Sequence, residues 1–183
     1  MDKKITFITG NPGKAEQLSK YLGIDISNTK IDLEEIQSLD LSEIIKHKVS
    51  EAYKIVNGPV IVDDVSLSIR SLGKLPGPFI KFFIQEIGND GITKMTSILA
   101  DKSAIAEVAI GYFDGKNMEI FIGTIKGTIA EKPKGSGGFG WDAIFIPNGY
   151  TQTRAEMTEN DYDETSPRKS ALIKLNKYLK ELN

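Results

Sequence analysis

The run Val60-Ile61-Val62-Asp63-Asp64 sets the tightest limit on how this chain folds. Three consecutive β-branched residues directly after Gly58-Pro59, a pair that stops a preceding helix, predict a buried strand, and that strand is expected to end at Asp63-Asp64. Carrying two adjacent carboxylates there is costly unless the charges meet a cation or solvent. A hard divalent metal is the natural partner, and Glu34 and Glu35 of the segment IDLEEIQ offer further carboxylates. The plainer reading is that the acids are solvated punctuation at a surface strand end. Ligands collect at strand ends in α/β sheets, which favours a functional role.

The pattern around this strand alternates between the two periodicities. Ile5 to Thr9 reads as a strand, Gly10-Asn11-Pro12-Gly13 as a loop, and Lys14 to Leu22 as a helix with Ala15, Leu18, Tyr21 and Leu22 at helical spacing. Ile45, Val49, Ala52, Tyr53 and Val56 form one helical stripe, with Asp40 and Glu43 spaced as an N-terminal capping pair. Gly73 to Pro78 is rich in turn residues, and Phe79 to Ile87 and Ile92 to Leu99 predict two helices. Ala104 to Phe113 and Met118 to Ala130 are β-prone runs joined by Asp114-Gly115-Lys116-Asn117, a hairpin signal. Trp141 to Ile146 reads as a strand closed by Pro147-Asn148-Gly149, and Ser166 to Leu182 as a C-terminal helix with Ser166 as N-cap and Pro167 in the first turn. The expected architecture is a mixed α/β sheet flanked by helices, in one domain over residues 1–183. A chain of 183 residues is long enough to bury roughly 70% of its unfolded surface.

Charge and composition narrow the function. Twenty-five acidic against 23 basic residues give a net charge of −2, which offers no general pull toward nucleic acid or an anionic membrane. Any phosphate must therefore be caught locally. The absence of cysteine excludes disulfides, Cys-ligated zinc and thiol catalysis, and the single His47 excludes a multi-histidine metal site. The apolar core of MDKKITFITGN is too short for a signal peptide, so a soluble, cytoplasmic protein is expected.

Two glycine-bearing loops invite motif readings that fail. Gly135, Gly137 and Gly140 match G-x-G-x-x-G, but aromatic and β-branched residues follow where a helix should open. The first loop has Ile8 where a P-loop needs glycine and Ala15 where it needs a hydroxyl. What remains there is a turn feeding a helix N-terminus, where free N–H groups and the helix dipole favour an anion and Lys14 adds a full charge; a solvated strand-to-helix connection is the alternative. Lys48, Lys81 and Arg168 are further cations near segment boundaries. Arg168 stands at a helix start, where an anionic ligand would offset its repulsion by the dipole. Phe139 and Trp141, beside glycines that permit close backbone approach, present flat apolar faces or else pack as core aromatics at a tight bend. Together these features describe a metal-assisted phosphate site with an aromatic-lined base pocket.

Four motifs in order, Thr9-Gly10-Asn11-x-x-Lys14, VDDVSLSIRSLGKLPGPFIKFF, GGFGWDAIFIPNGY with TRAEMT, and Ser166-x-Arg168, resemble the inosine triphosphate pyrophosphatase family over nearly the whole chain. The resemblance implies a two-lobed homodimeric enzyme with an elongated mixed sheet, and a cleft that hydrolyses ITP, dITP and XTP to the monophosphate and pyrophosphate. It implies that Thr9, Gly10, Asn11, Pro12, Gly13 and Lys14 hold the triphosphate, that Glu35 and Asp64 hold Mg2+, and that Asp64, helped or not by Asp63, activates water. Lys48 and Lys81 match positions facing the phosphates, and Phe139, Gly140, Trp141 and Asp142 match the base-binding segment. Three further substrate-facing positions depart from the family pattern: Val65 replaces a hydroxyl, Tyr162 a lysine, and Pro167 the histidine before Arg168. A nucleotide-binding module without catalysis is the alternative those departures motivate. A single-strand nucleic-acid binder using Phe139 and Trp141 lacks an evident basic groove.

Overall fold

The computed structural model describes residues 4–23 and 26–182, the side chain of Pro12 excepted, so the expected role of that ring in the phosphate loop falls outside the described residues. Seven strands form one mixed sheet in the order β2-β1-β3-β5-β6-β7, with β4 paired to β3. β1 (Thr6–Ile8) runs parallel to both β2 (Ser27–Thr29) and β3 (Val60–Ile69). The antiparallel portion comprises β4 (Pro76–Gly77) on β3 and β7 (Phe145–Pro147) on β6 (Met118–Ile129). β5 (Ser103–Phe113) precedes β6, and Asp114 closes the turn between them by accepting the N–H groups of Lys116 and Asn117 at 2.8 and 2.7 Å.

The strand expected to end at Asp63-Asp64 is longer than its sequence suggests. β3 continues five residues past Asp64, because Val65, Leu67 and Ile69 alternate with Ser66 and Ser68 and the strand gains β4 as a neighbour. The two aspartates therefore stand in mid-strand. The segment after the glycine cluster is shorter in β structure than expected: Asp142–Ile144 is a 3-10 turn, and only Phe145–Pro147 pairs as a strand. Positive φ at Gly138 and Gly140, with the Asp142 carboxylate accepting Phe139 N–H at 2.9 Å, bends the chain before it can extend.

The helices follow the periodic stripes closely. α1 spans Pro12–Leu22 and α2 Leu41–Val56. At the start of α2, Asp40 accepts Ser42 N–H at 2.8 Å, but the reciprocal bond expected from Glu43 runs through Ser38, whose hydroxyl donates to Glu43 at 2.7 Å and accepts Asp40 N–H at 3.0 Å. The two helices expected between residues 79 and 99 form α3 (Ile80–Thr96), broken at Gly88, whose φ of 65° and ψ of 179° no helix allows. α4 (Glu159–Glu164) and β2 carry too little periodicity to be seen in sequence. α5 runs Pro167–Leu182, with proline at its first position. No helix of the described residues is long and apolar enough to cross a membrane.

Contacts divide the chain into two compact units: Met1–Asp64 with Val108–Gly123 and Arg168–Asn183, and Val65–Glu107 with Thr124–Pro167. Each owns an apolar core. In the first, Ile45, Val49 and Ala52 of α2 pack with Ile8, Val60, Val62 and Ala109. Gly111 permits that approach, since a Cβ there would stand 2.5 Å from an Ile45 methyl. In the second, Ile80 and Ile92 of α3 pack with Leu67, Ile69, Ala104, Ala106, Trp141 and Phe145.

Candidate functional site

In the first unit, the loop after β1 is organised by its own side chains. Thr9 Oγ1 accepts Asn11 N–H at 3.1 Å, and Asn11 Oδ1 accepts the N–H groups of Gly13 and Lys14 at 3.0 and 3.4 Å. Asn11 is thus the N-cap of α1 and Pro12 its first residue. The N–H groups of Asn11, Gly13 and Lys14, expected to stand free for an anion, are occupied, so the positive charge the loop offers is that of the Lys14 side chain.

That charge is gathered around Asp63. Its Oδ1 accepts a directed hydrogen bond from Lys14 Nζ at 3.2 Å; its Oδ2 lies 3.0 Å from Lys14 Nζ and 2.5 Å from Arg168 Nη1 as charge contacts. The anion that offsets Arg168 at the start of α5 is therefore already in the protein. Burial works against ionising Asp63, but Arg168 and Lys14 outweigh it and hold the carboxyl at about 2. A folded pKa below the ordinary 3.8 stabilises the fold above that value and loses the contribution as pH falls through the folded pKa. For this buried group the shift corresponds to roughly 2 kcal/mol. Urea unfolding should therefore show a loss of stability between about pH 4 and 2 that is visibly shallower in Asp63→Asn. Equal slopes would contradict the pairing.

Asp64 and Glu35, from separate segments, converge on one cation. Lys48 Nζ lies 3.0 Å from Asp64 Oδ2 and 3.1 Å from Glu35 Oε1. Burial lowers the Lys48 pKa, and the two carboxylates more than reverse this, so it sits above its ordinary value. Glu34 is exposed and does not join the pair. Among the described residues no group of three or more acidic or histidine side chains gathers as a metal-ligand set. Two carboxylates meeting at a single cation position still fit a hard divalent ion that takes its remaining ligands from water and substrate phosphates.

The second unit contains an apolar pocket of about 210 Å3 lined by Val65, Ile80, Lys81, Ile84, Gln85, Phe139, Gly140, Trp141 and Asp142. Val65, read in sequence as the loss of a hydroxyl, is one of its walls. The two aromatics divide their roles: Phe139 is 54% exposed, whereas Trp141 is 8% exposed and packs edge-on against Phe145 with ring centroids 5.3 Å apart. Phe139 alone offers an open face. The glycines mostly serve the protein's own packing. A side chain on Gly135 would meet the Ala155 backbone and one on Gly138 the Asp142 carboxylate, while at Gly140 the nearest atom stands 3.9 Å away.

Asp142, one of the pocket's lining residues, belongs to a buried polar network. Arg154 Nε donates to Asp142 Oδ1 at 2.8 Å, and Arg154 Nη1 donates to the Thr165 carbonyl and hydroxyl, each at 2.6 Å, and to the Tyr162 carbonyl at 3.2 Å. Tyr162 donates its hydroxyl to Asp142 Oδ2 at 2.8 Å and lays its ring under the Arg154 guanidinium, 4.1 Å from its carbon. Burial and the Asp142 charge push the Tyr162 phenol up to about 12. Tyr162, where the resemblance led to the expectation of a lysine, is a neutral donor to the Asp142 carboxylate. Pro167 is buried at the start of α5. Sequence reading quoted Arg154 only within TRAEMT, without a role, and passed over Asn89, which donates to the Gly140 carbonyl at 2.9 Å. The glycine break before Asn89 in an otherwise helical stretch was the available signal.

The chain matches the model of the Ham1 family over residues 5–178. It is 41% identical to the inosine triphosphate pyrophosphatase of Yarrowia lipolytica over 182 residues, spanning 97% of this chain and 96% of that protein. It is 37% identical over 181 residues to the dITP/XTP pyrophosphatase of Thermococcus kodakarensis, covering 97% of this chain and 98% of its relative. Among solved structures, a HAM1 protein from Coxiella burnetii superposes with a TM-score of 0.87 at 25% identity, covering 97% of this chain and 98% of that one.

Proposed function

The chain belongs to the Ham1 family, and on that premise we propose that it is a Mg2+-dependent pyrophosphatase that hydrolyses ITP, dITP and XTP to the monophosphate and pyrophosphate. The observation that carries this reading is the shared contact of Glu35 and Asp64 with one ammonium, which marks a cation position between two distant segments. Glu35 and Asp64 would hold the metal, which when bound neutralises charge on the phosphate oxygens. Lys14, Lys48 and Arg168 supply further positive charge to the polyphosphate, and Thr9 to Lys14 shape the loop against which it lies.

In the reaction a water oxygen bonds to the α-phosphorus, the bond from that phosphorus to the bridging oxygen breaks, and pyrophosphate leaves with the bond electrons. The water proton passes to a carboxylate. Asp63 is ill suited to take it, because a group held at about 2 by two cations is a weak base. Asp64, a quarter exposed and paired with Lys48, is the acceptor. In the apolar pocket, Phe139 stacks on the purine, Gly140 admits close backbone approach, and Asp142, fixed by Arg154 and Tyr162, borders the ring edge. Lys81, on the wall of the same pocket, adds positive charge toward the bound nucleotide. Residues 1–183 act as one catalytic domain, as a homodimer in the cytoplasm.

The test is pyrophosphate release from a panel of ITP, XTP, dITP, GTP, ATP and TTP with Mg2+. Turnover of the first three well above the others is expected. Folded protein that releases no pyrophosphate from ITP would overturn the assignment.

A further inference from the structure

Gly10 lies in the phosphate loop but does not adopt a left-handed backbone, so its missing side chain serves space rather than conformation. Lys30 fills that space. A Cβ on Gly10 would stand 3.2 Å from Lys30 Cδ, 3.3 Å from Cγ and 3.6 Å from Cε, so the lysine stem lies across the loop with its ammonium one bond beyond. The sheet dictates this placement. β2 pairs parallel with β1, matching Ile8 to Thr29, and Thr9 N–H donates to the Thr29 carbonyl at 2.9 Å. The residue after Thr29 is thereby held alongside the residue after Thr9.

Lys30 differs from the other cations of this unit's site in one respect. Lys14 and Arg168 are tied to Asp63, and Lys48 to Glu35 and Asp64, whereas no carboxylate among the described residues pairs with Lys30. A charge laid over this loop with no carboxylate partner among the described residues leaves none of those partners to be displaced when an anion arrives. Resting on the nucleotide-hydrolase reading above, we propose that Lys30 is a further polyphosphate-binding residue, whose ammonium grips the triphosphate tail over Gly10.

A contact of this kind is made equally in the bound substrate and the transition state, so its loss raises KM and leaves kcat nearly unchanged. For ITP hydrolysis, Lys30→Ala and Lys30→Gln should each raise KM roughly tenfold, the scale of one charge-assisted hydrogen bond, with Lys30→Arg restoring most of it. Inorganic tripolyphosphate, as a competitive inhibitor, should weaken by a similar factor in Lys30→Gln. Gly10→Ala, which crowds the stem, should add little to KM in the Lys30→Ala background. If the wild type hydrolyses ITP and Lys30→Gln keeps both its KM and its tripolyphosphate inhibition constant, Lys30 does not bind the tail. Failure of the wild type to turn over ITP would instead sink the underlying functional reading.

Discussion

Asp64→Asn should lower kcat for ITP hydrolysis by about 10²- to 10⁴-fold, the range that a positioned proton acceptor contributes. The substitution keeps the shape of the side chain and leaves Lys48 paired with Glu35 at 3.1 Å, so folding should be little affected. The loss of turnover should persist at saturating Mg2+, where the weakened metal site is filled, because an amide cannot accept the water proton. Asp63→Asn should behave in the opposite sense. Asp63 is the buried counter-ion of Lys14 and Arg168, and removing its charge leaves two cations facing each other with no anion between them. The adjacent aspartates thus separate into one whose loss costs rate and one whose loss costs mainly stability. Measuring kcat and the urea midpoint for both variants checks this. Full turnover in Asp64→Asn would remove it as the base.

Arg154→Leu should destabilise the protein by about 3–5 kcal/mol, because the Asp142 carboxylate would remain buried with only Tyr162 and the Phe139 N–H to hold it. For a chain of this length that corresponds to a fall in Tm on the order of 10 °C. Arg154 also ties Asp142 to the carbonyls of Tyr162 and Thr165, so the same change should loosen the segment that presents Phe139 to the pocket and raise KM for ITP. The two side chains act as a unit, both nearly inaccessible to water at 3% and 4% exposure. Asp142→Leu combined with Arg154→Leu should therefore cost clearly less than the sum of the single changes. Additive losses, read from thermal and urea unfolding, would show that the pair is not coupled.

Much of this architecture could be read from periodicity. The stripe of α2, the hairpin turn at Asp114 and the proline at the head of α5 each follow from a local rule, and each stands where that rule puts it. The length of β3 did not emerge, because two adjacent acids look like a terminus until their partners are known. Lys14 and Arg168, far away in sequence, make Asp63 tolerable in mid-strand. The β structure expected at Trp141 failed for a similar reason: Asp142 prefers its bonds to Phe139 N–H, Tyr162 and Arg154, and these hold a turn in place. At the site, the acids and Lys14 were legible as residue types. The pairing of Glu35 with Asp64 was expected from the family resemblance; the capture of Asp63 by Lys14 and Arg168 was not, since it depends on which cation each carboxylate reaches. Arg154 stood within TRAEMT without a role because its partner Asp142 lies on another segment, and Lys30 gave no signal because only its packing over Gly10 marks it.

The central claim is that Glu35 and Asp64 together hold one divalent ion. The number and affinity of Mn2+ ions bound per chain, followed by the loss of the free Mn2+ paramagnetic resonance signal in the presence of a non-hydrolysable ITP analogue, tests it most directly. The account predicts one tight site in the wild type that is strongly weakened in Glu35→Gln and again in Asp64→Asn. An unchanged site in both variants would place the metal elsewhere and contradict the account.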